Sequence, residues 1–109
     1  MSQYVAEAKQ IIRSHKYVML TANWCPDCVY ANSIWRKFGV LNKVSQFEVG
    51  GYDRVKLNKY RDAFAEVAGI RNLPTIFVDG KVWGTEAELH KYEREGTLLE
   101  ELKKIGLID

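Results

Sequence analysis

The stretch TANWCPDCVYANSIW, residues 21–35, decides how the rest of the chain is interpreted. Its start overlaps a short apolar run, KYVMLTA at residues 16–22, which is typical of a buried strand. From Pro26 onward the composition predicts a helix that ends near Gly39, since proline is well tolerated in a first helical turn. Both cysteines of the chain, Cys25 and Cys28, lie where this strand gives way to this helix.

The position of the two cysteines favours thiol chemistry. A cysteine at a helix start meets unpaired backbone N–H groups and the positive end of the helix dipole, which stabilise a thiolate. We therefore expect Cys25 to be a nucleophile near neutral pH. Cys28 lies one turn later on the same face, where it can attack a mixed disulfide at Cys25 and release the reduced product.

Asp27, between the two cysteines, has opposing effects. A carboxylate in the first helical turn interacts favourably with the helix dipole. The same negative charge lies near the forming thiolate and opposes the ionisation of Cys25. We therefore expect a less acidic nucleophile than an uncharged residue at this position would give, and local repulsion of anionic substrates.

The bulk composition narrows the classes of protein. The 109 residues are 47% hydrophobic and 28% charged, which predicts one domain, residues 1–109, with a single core. The net charge is +2 with no basic stripe, so we expect no nucleic-acid partner. Apolar runs are short and the N-terminus lacks a signal-peptide core, so we expect a cytoplasmic protein without membrane attachment. Thiols are kept reduced there, which favours catalysis or metal binding over a structural disulfide.

Apolar spacing predicts the remaining helices and strands. An amphipathic helix is expected at the N-terminus, and another over residues 57–68 that Gly69 closes. Residues 45–50 alternate as a strand, and Asp79-Gly80 between PTIFV and KVW fits the type I′ turn of a hairpin. Two pairs match the capping box that starts a helix, and four apolar residues are available for the buried side of the helix from Pro26. The pairs are Thr85 with Glu88 and Thr97 with Glu100, and the apolar residues are Val29, Ile34, Trp35 and Phe38.

This order of elements predicts an α/β fold with a four-stranded mixed sheet and helices on both faces. The first two strands are expected to be parallel through a right-handed crossover, and the last two antiparallel through the Asp-Gly turn.

The motifs resemble those of the glutaredoxin family in the thioredoxin-fold superfamily, over nearly the whole chain. WCPDC takes the place of the family's CPYC, RNLPT contains the residue that matches the family's cis-proline, and FVDGKVWG matches its hairpin. GTEAEL and EGTLLEEL match the last two helices. Because the WCPDC motif itself is more similar to that of thioredoxin-related proteins, the chain resembles an atypical dithiol glutaredoxin with a thioredoxin-like centre.

The resemblance implies a thioredoxin-like fold and a glutathione-dependent thiol–disulfide oxidoreductase that serves cell redox homeostasis. Cys25 would be the nucleophile and Cys28 the resolving thiol, and the substrates would be protein disulfides or glutathione mixed disulfides. No bound cofactor is implied, since glutathione is the electron donor, and we expect a monomer.

The resemblance also implies residues that contact the substrate. Pro74, in cis, would face Cys25 and leave the backbone of Leu73 free to pair with a substrate as an added strand. Pro26 would stiffen the first turn of the helix. Trp24 would flank the exposed sulfur, although half-buried packing is an alternative.

Further implied contacts are with glutathione itself. Arg71 matches a cationic position near its glycine carboxylate, although a solvated surface arginine is an alternative. Ala87 and Glu88 match a Ser-Asp pair that holds its γ-glutamyl end, although Glu88 fits a capping box equally well.

Several positions depart from the family pattern. Ala22 replaces a lysine, Asp27 replaces the tyrosine of CPYC, Thr85 replaces a glycine, and Ala87-Glu88 replaces Ser-Asp. Losing a cation and gaining an anion weaken the capture of anionic glutathione, and each lost charge-assisted contact costs roughly 1.5–3 kcal/mol. Weak glutathione-linked activity is consistent with these changes.

Two alternatives stay open. The first is a thioredoxin-like reductase recharged by a flavoprotein reductase, which WCPDC and Ala22 favour and the segment from Arg71 onward opposes. The second is a binding module in which two chains share an iron–sulfur cluster or zinc through their cysteines. One CxxC cannot close a tetrahedral zinc site alone, and His15 and His90 lack zinc-finger spacing.

Overall fold

A computed structural model describes residues 2–109 and contains the predicted order of helices and strands. A 3₁₀ turn, Leu41–Lys43, was not predicted. The helices are α1 (Gln3–Ser14), α2 (Pro26–Lys37), α3 (Arg54–Ala68), α4 (Glu86–Glu95) and α5 (Leu98–Lys104), and the strands are β1 (Tyr17–Thr21), β2 (Ser45–Glu48), β3 (Thr75–Val78) and β4 (Lys81–Gly84).

The strands form one four-stranded mixed sheet in the order β2-β1-β3-β4. β1 runs parallel to β2, with Thr21 opposite Glu48, and antiparallel to β3, with Leu20 opposite Thr75. All residues of β1 are buried, because helices cover both faces of the sheet. The predicted thioredoxin-like fold class is confirmed.

Local turn chemistry explains the hairpin and the start of α4. Asp79 and Gly80 both have positive φ, 52° and 80°, as a type I′ turn requires. Thr85 and Glu88 form the predicted capping box. The second predicted box is wrong: within the described chain, Thr97 makes no side-chain cap, because its backbone (φ −112°, ψ 5°) lacks the extended conformation of an N-cap.

The core has a layer on each face of the sheet. The layer under α1 and α3 includes Ile12, Phe64 and both cysteines, and the layer under α2, α4 and α5 includes Trp35 and Leu102. None of the helices described in residues 2–109 is long and apolar enough to span a membrane.

The predicted buried side of α2 is wrong at one position. Val29 is 55% exposed, whereas Cys28, Ala31, Ile34 and Trp35 are buried. Cys28 and Ala31 set the inward face at helical spacing, and Val29 is rotated about 100° from Cys28 around the helix axis.

Candidate active site

The end of β1 delivers the cysteine pair to the start of α2. Cys25 is the N-cap residue with extended backbone (φ −89°, ψ 118°), and Pro26 is the first helical residue, as predicted. The turn before the helix is closed by the N–H of Cys25, which donates to the carbonyl of Ala22 at 3.0 Å. Ala22 is fully buried. The strand and the helix therefore fix where Cys25 lies.

Both cysteines are free thiols, and both are largely covered by protein. Cys25 is 8% exposed and Cys28 1% exposed. The thiol of Cys25 donates to the carbonyl of Leu73, with a sulfur–oxygen distance of 3.6 Å. The expectation of an exposed sulfur beside Trp24 is therefore wrong, because the loop that carries Leu73 packs over it.

The pKa of the Cys28 thiol is raised to about 11, chiefly by burial and also by a hydrogen bond with Cys25 and the charge of that cysteine. Hydrogen bonds from the backbone of Ala22 and the side chain of Thr21 act in the opposite direction and are outweighed. Near neutral pH, Cys28 therefore keeps its proton. Its attack on a neighbouring sulfur requires a base that removes this proton.

The loop before β3 faces the cysteines. The Leu73–Pro74 peptide bond is cis, as the resemblance implied, and both residues are buried. The side-chain amide of Asn72 donates to the carbonyl of Pro74 at 2.9 Å and to the carboxylate of Glu86 at 2.7 Å. The hydroxyl of Thr75 donates to the carbonyl of Asn72 at 2.7 Å. These bonds tie the loop to the start of α4.

Trp24 lies on the surface next to the nucleophile position. Trp24 is 54% exposed, and its indole N–H donates to the carbonyl of Gly50 at 3.2 Å. Pro26 and Asp27, in the first turn of α2, are also exposed. The surface position of Trp24 agrees with the sequence-based expectation, and its contact with substrate stays a prediction.

Arg61 is a candidate residue that the sequence interpretation missed. Its side chain is partly buried on α3, and its Nε has no hydrogen-bond partner among residues 2–109. Desolvation lowers its pKa, as does the nearby charge of Arg71, while Cys25 and Cys28 raise it. A guanidinium thus lies within electrostatic reach of both cysteines.

Arg71 lies on the rim of the same region. Its Nε is 3.2 Å from a carboxylate oxygen of Asp62, and its Nη2 donates to Asn58 at 3.4 Å. The side chains of Arg71 and Asp62 are 43% and 71% exposed, so solvent screens this ion pair. Arg71 can therefore exchange Asp62 for another anion.

Backbone N–H groups at the start of α4 are satisfied by nearby side chains of the same segment. The backbone N–H of Thr85 donates to Glu88 at 2.7 Å, and the N–H of Ala87 donates to the hydroxyl of Thr85 at 3.1 Å. Glu88 reaches back over Gly84, where a Cβ atom would lie 2.6 Å from its carboxylate oxygen. The capping role of Glu88 is thus observed, while the ligand roles of Ala87 and Glu88 stay predictions.

A CxxC pair at a helix start, facing a cis-proline loop on this mixed sheet, defines a thioredoxin-fold thiol–disulfide oxidoreductase. The family model for glutaredoxin matches residues 16–83. Glutaredoxin-8 of Saccharomyces cerevisiae is 56% identical over 108 residues, which cover 99% of each chain. The chain therefore belongs to the glutaredoxin family.

Solved structures agree with this assignment. The solution structure of the yeast dithiol glutaredoxin Grx8 matches with a TM-score of 0.91, 56% identity and full coverage of both chains. A crystal structure of a buckwheat glutaredoxin–glutathione complex matches with a TM-score of 0.76 over 97% of this chain and 93% of that chain. At 21% identity, the buckwheat match shows the shared fold.

Proposed function

We propose that this glutaredoxin reduces protein disulfides, or mixed disulfides with glutathione, and takes its electrons from glutathione. The observation that carries the proposal is the Cys25–Cys28 pair, with the carbonyl of Leu73 at the sulfur of Cys25. We further propose that it works as a monomer in the cytoplasm, where glutathione is kept reduced.

The chemistry follows from the pair. The thiolate of Cys25 attacks one sulfur of a substrate disulfide, forms a mixed disulfide and expels the other sulfur as a thiolate, which takes up a proton. Cys28 then loses its proton and attacks Cys25, which releases the second substrate thiol and leaves a Cys25–Cys28 disulfide. One glutathione thiolate opens this disulfide, and a second glutathione releases glutathione disulfide and restores Cys25.

The positive charge of the arginines near Cys25 and Cys28 supports an anionic electron donor such as glutathione. Glutathione carries two carboxylates, and the buried Nε of Arg61, which has no hydrogen-bond partner in the described chain, favours an incoming anion. Arg71 can add a second contact by exchanging Asp62. Asp27 opposes this attraction, and the helix-start N–H of Ala87 is already bonded to Thr85. We therefore expect glutathione to bind weakly.

A second candidate function is a disulfide reductase that a flavoprotein reductase recharges. The exposed indole of Trp24 favours it, because a 54% exposed tryptophan offers a large apolar contact for a protein partner. Ala22 favours it as well, since the loop before Cys25 contributes no cation for glutathione.

The test is a comparison of two electron donors. We would follow NADPH consumption against a small disulfide, with glutathione plus glutathione reductase in one arm and thioredoxin reductase in the other. Turnover in the glutathione arm supports the proposal, and turnover in the second arm alone overturns it in favour of the second candidate. Cys25→Ser provides the blank, and wild-type activity no greater than this blank in either arm refutes both.

Paired arginine variants sharpen this experiment. Arg61→Ala should raise the KM for glutathione about tenfold, the effect of one lost charge-assisted contact. Arg13→Ala is the matched control, because Arg13 lies in the last turn of α1, beside Gly80, at the other end of the sheet. An unchanged KM in Arg61→Ala, or an equal rise in Arg13→Ala, would contradict a local role for Arg61.

A further inference from the structure

A single carboxylate joins the loops that follow the two parallel strands. Thr21 and Glu48, the last residues of β1 and β2, lie opposite each other. One carboxylate oxygen of Glu48 accepts the backbone N–H of Asn23 at 3.0 Å and that of Gly50 at 2.5 Å. Asn23 directly precedes Trp24, so Glu48 restrains the backbone next to Trp24, while Cys25 is held by its own bond to Ala22.

Trp24 is tied to the same loop. Its indole N–H donates to the carbonyl of Gly50 at 3.2 Å, so Gly50 is bonded on its N–H side by Glu48 and on its carbonyl side by Trp24. An exposed side chain without such a bond samples several rotamers. The bond selects one orientation of the indole and leaves 54% of the residue open to solvent.

Glycine is required at the centre of this arrangement. A Cβ atom on residue 50 would lie 2.6 Å from the carboxylate oxygen of Glu48 and 2.9 Å from the backbone nitrogen of Asn23, and would collide with the side-chain oxygen of Asn23. At Gly51 a Cβ atom would meet nothing within 4 Å. The close approach is therefore specific to Gly50.

We propose that Glu48 is a positioning residue, which holds the Trp24 indole as a platform for protein disulfide substrates. The Glu48 clamp comprises Glu48, Asn23, Gly50 and Trp24. A protein that brings its disulfide to Cys25 covers the fixed indole and buries apolar surface there. A small disulfide does not extend far enough to gain this contact. The inference rests on the proposed disulfide reduction and assigns a selectivity to the same site.

The variants separate this role from general stability. Glu48→Ala removes the clamp, Glu48→Gln keeps an acceptor without the charge, and Gly50→Ala disrupts the clamp sterically, with Gly51→Ala as its matched control. With glutathione and glutathione reductase as the electron source, we would measure the reduction of insulin disulfides and of hydroxyethyl disulfide. We expect Glu48→Ala and Gly50→Ala to raise the KM for insulin about three- to tenfold. In both variants, the kcat for insulin and the kcat and KM for hydroxyethyl disulfide should stay near their wild-type values. Glu48→Gln should be intermediate and Gly51→Ala unchanged.

A double-mutant cycle tests whether Glu48 acts through Trp24. Trp24→Ala should raise the KM for insulin, and adding Glu48→Ala should raise it no further. Additive effects would overturn the proposal, as would an equal loss on both disulfides, which would indicate a merely structural role.

A spectroscopic measurement separates this proposal from the proposed function. In ¹H–¹⁵N NMR, the Trp24 indole resonance, identified by its loss in Trp24→Phe, should shift in Glu48→Ala and Gly50→Ala and stay in place in Gly51→Ala. This reports on the clamp even if glutathione does not support turnover. An unmoved resonance in both clamp variants would refute the clamp, whatever the donor.

Discussion

At Cys28, burial outweighs the hydrogen bonds that would stabilise a thiolate. Its pKa is raised to about 11, although Ala22 and Thr21 both act to lower it. The resolving thiol is thus protonated near neutral pH, and the step in which it attacks a mixed disulfide should accelerate as pH rises. The first attack, by Cys25, precedes any involvement of Cys28.

The raised pKa of Cys28 predicts a pH dependence of stability. Because the folded state holds the proton more tightly, the contribution is fully present below pH 9.0, the ordinary value, and is lost as pH rises towards about 11. Urea unfolding from pH 8 to 11 should therefore show a steeper loss of stability in the wild type than in Cys28→Ser. Equal slopes would contradict the assignment. The difference in absorbance at 240 nm between the wild type and Cys28→Ser provides an independent check, since the tyrosinate contributions cancel and the high-pH step of the Cys28 thiolate remains.

Single residues differed in how far the sequence could predict them. Cys25, Cys28 and Pro74 were identifiable because their chemistry depends on neighbours along the chain. Arg61 and Glu48 were not, because their importance arises when α3 and β2 approach the end of β1 in the fold. Arg61 did leave a trace, since it is a cation that directly follows buried Tyr60 and lies two residues before buried Ala63.

At the scale of elements, α1 and α3 pack through an aromatic cluster with one polar link. The hydroxyl of Tyr60 donates to both carboxylate oxygens of Glu7, each at 3.0 Å. The ring of Tyr60 packs edge-on against Tyr4 and Phe47, with centroid distances of 4.9 and 5.0 Å. Burial, followed by the bond to Glu7, raises the pKa of Tyr60 to about 12.

This link predicts the effect of Glu7→Gln. The substitution should lower the free energy of unfolding by about 1 kcal/mol, because a hydrogen bond to a charged acceptor becomes a neutral one. The tyrosinate absorbance step at 295 nm should also move to lower pH. The stabilising contribution of Tyr60 is present below pH 10.0 and is lost as the pH rises towards about 12. In Glu7→Gln the pKa of Tyr60 should be raised less, so the pH range over which stability is lost should be narrower. Glu66→Gln, at an exposed position on α3, is the control, and an equal effect there would contradict the assignment.

Turns and helices that depend on local sequence chemistry were predictable from the sequence. The side of a helix that is buried was not always predictable. Asp79 and Gly80 impose their turn through positive φ, whatever surrounds them. Val29 was misassigned because the sheet decides which side of α2 turns inward. Thr97 was misassigned because α5 starts there through burial of Leu98 and Leu102 rather than through a cap.

At the scale of the whole molecule, the sheet divides the core into layers with different roles. Cys25, Cys28 and Leu73 belong to the layer under α1 and α3, and α5 seals the opposite layer. The two layers meet across β1, whose side chains alternate between them: Val18 and Leu20 face the cysteine layer, and Met19 faces the other. Changes under α5 should therefore alter stability with little effect on the cysteines.

Leu102 tests this separation, with Leu99 on the same helix as its control. Leu102 is fully buried, so Leu102→Ala should cost about 2–5 kcal/mol in unfolding free energy through lost contacts and the cavity left behind. Leu99 is 44% exposed, so Leu99→Ala should change stability by less than about 0.5 kcal/mol. Urea unfolding measures both changes in stability. In the folded variants, thiolate titration should show the high-pH step of Cys28 at the same pH as in the wild type. If Leu102→Ala moved that step towards pH 9.0, the ordinary value, the layers would be coupled through β1 and the sheet would not insulate the site.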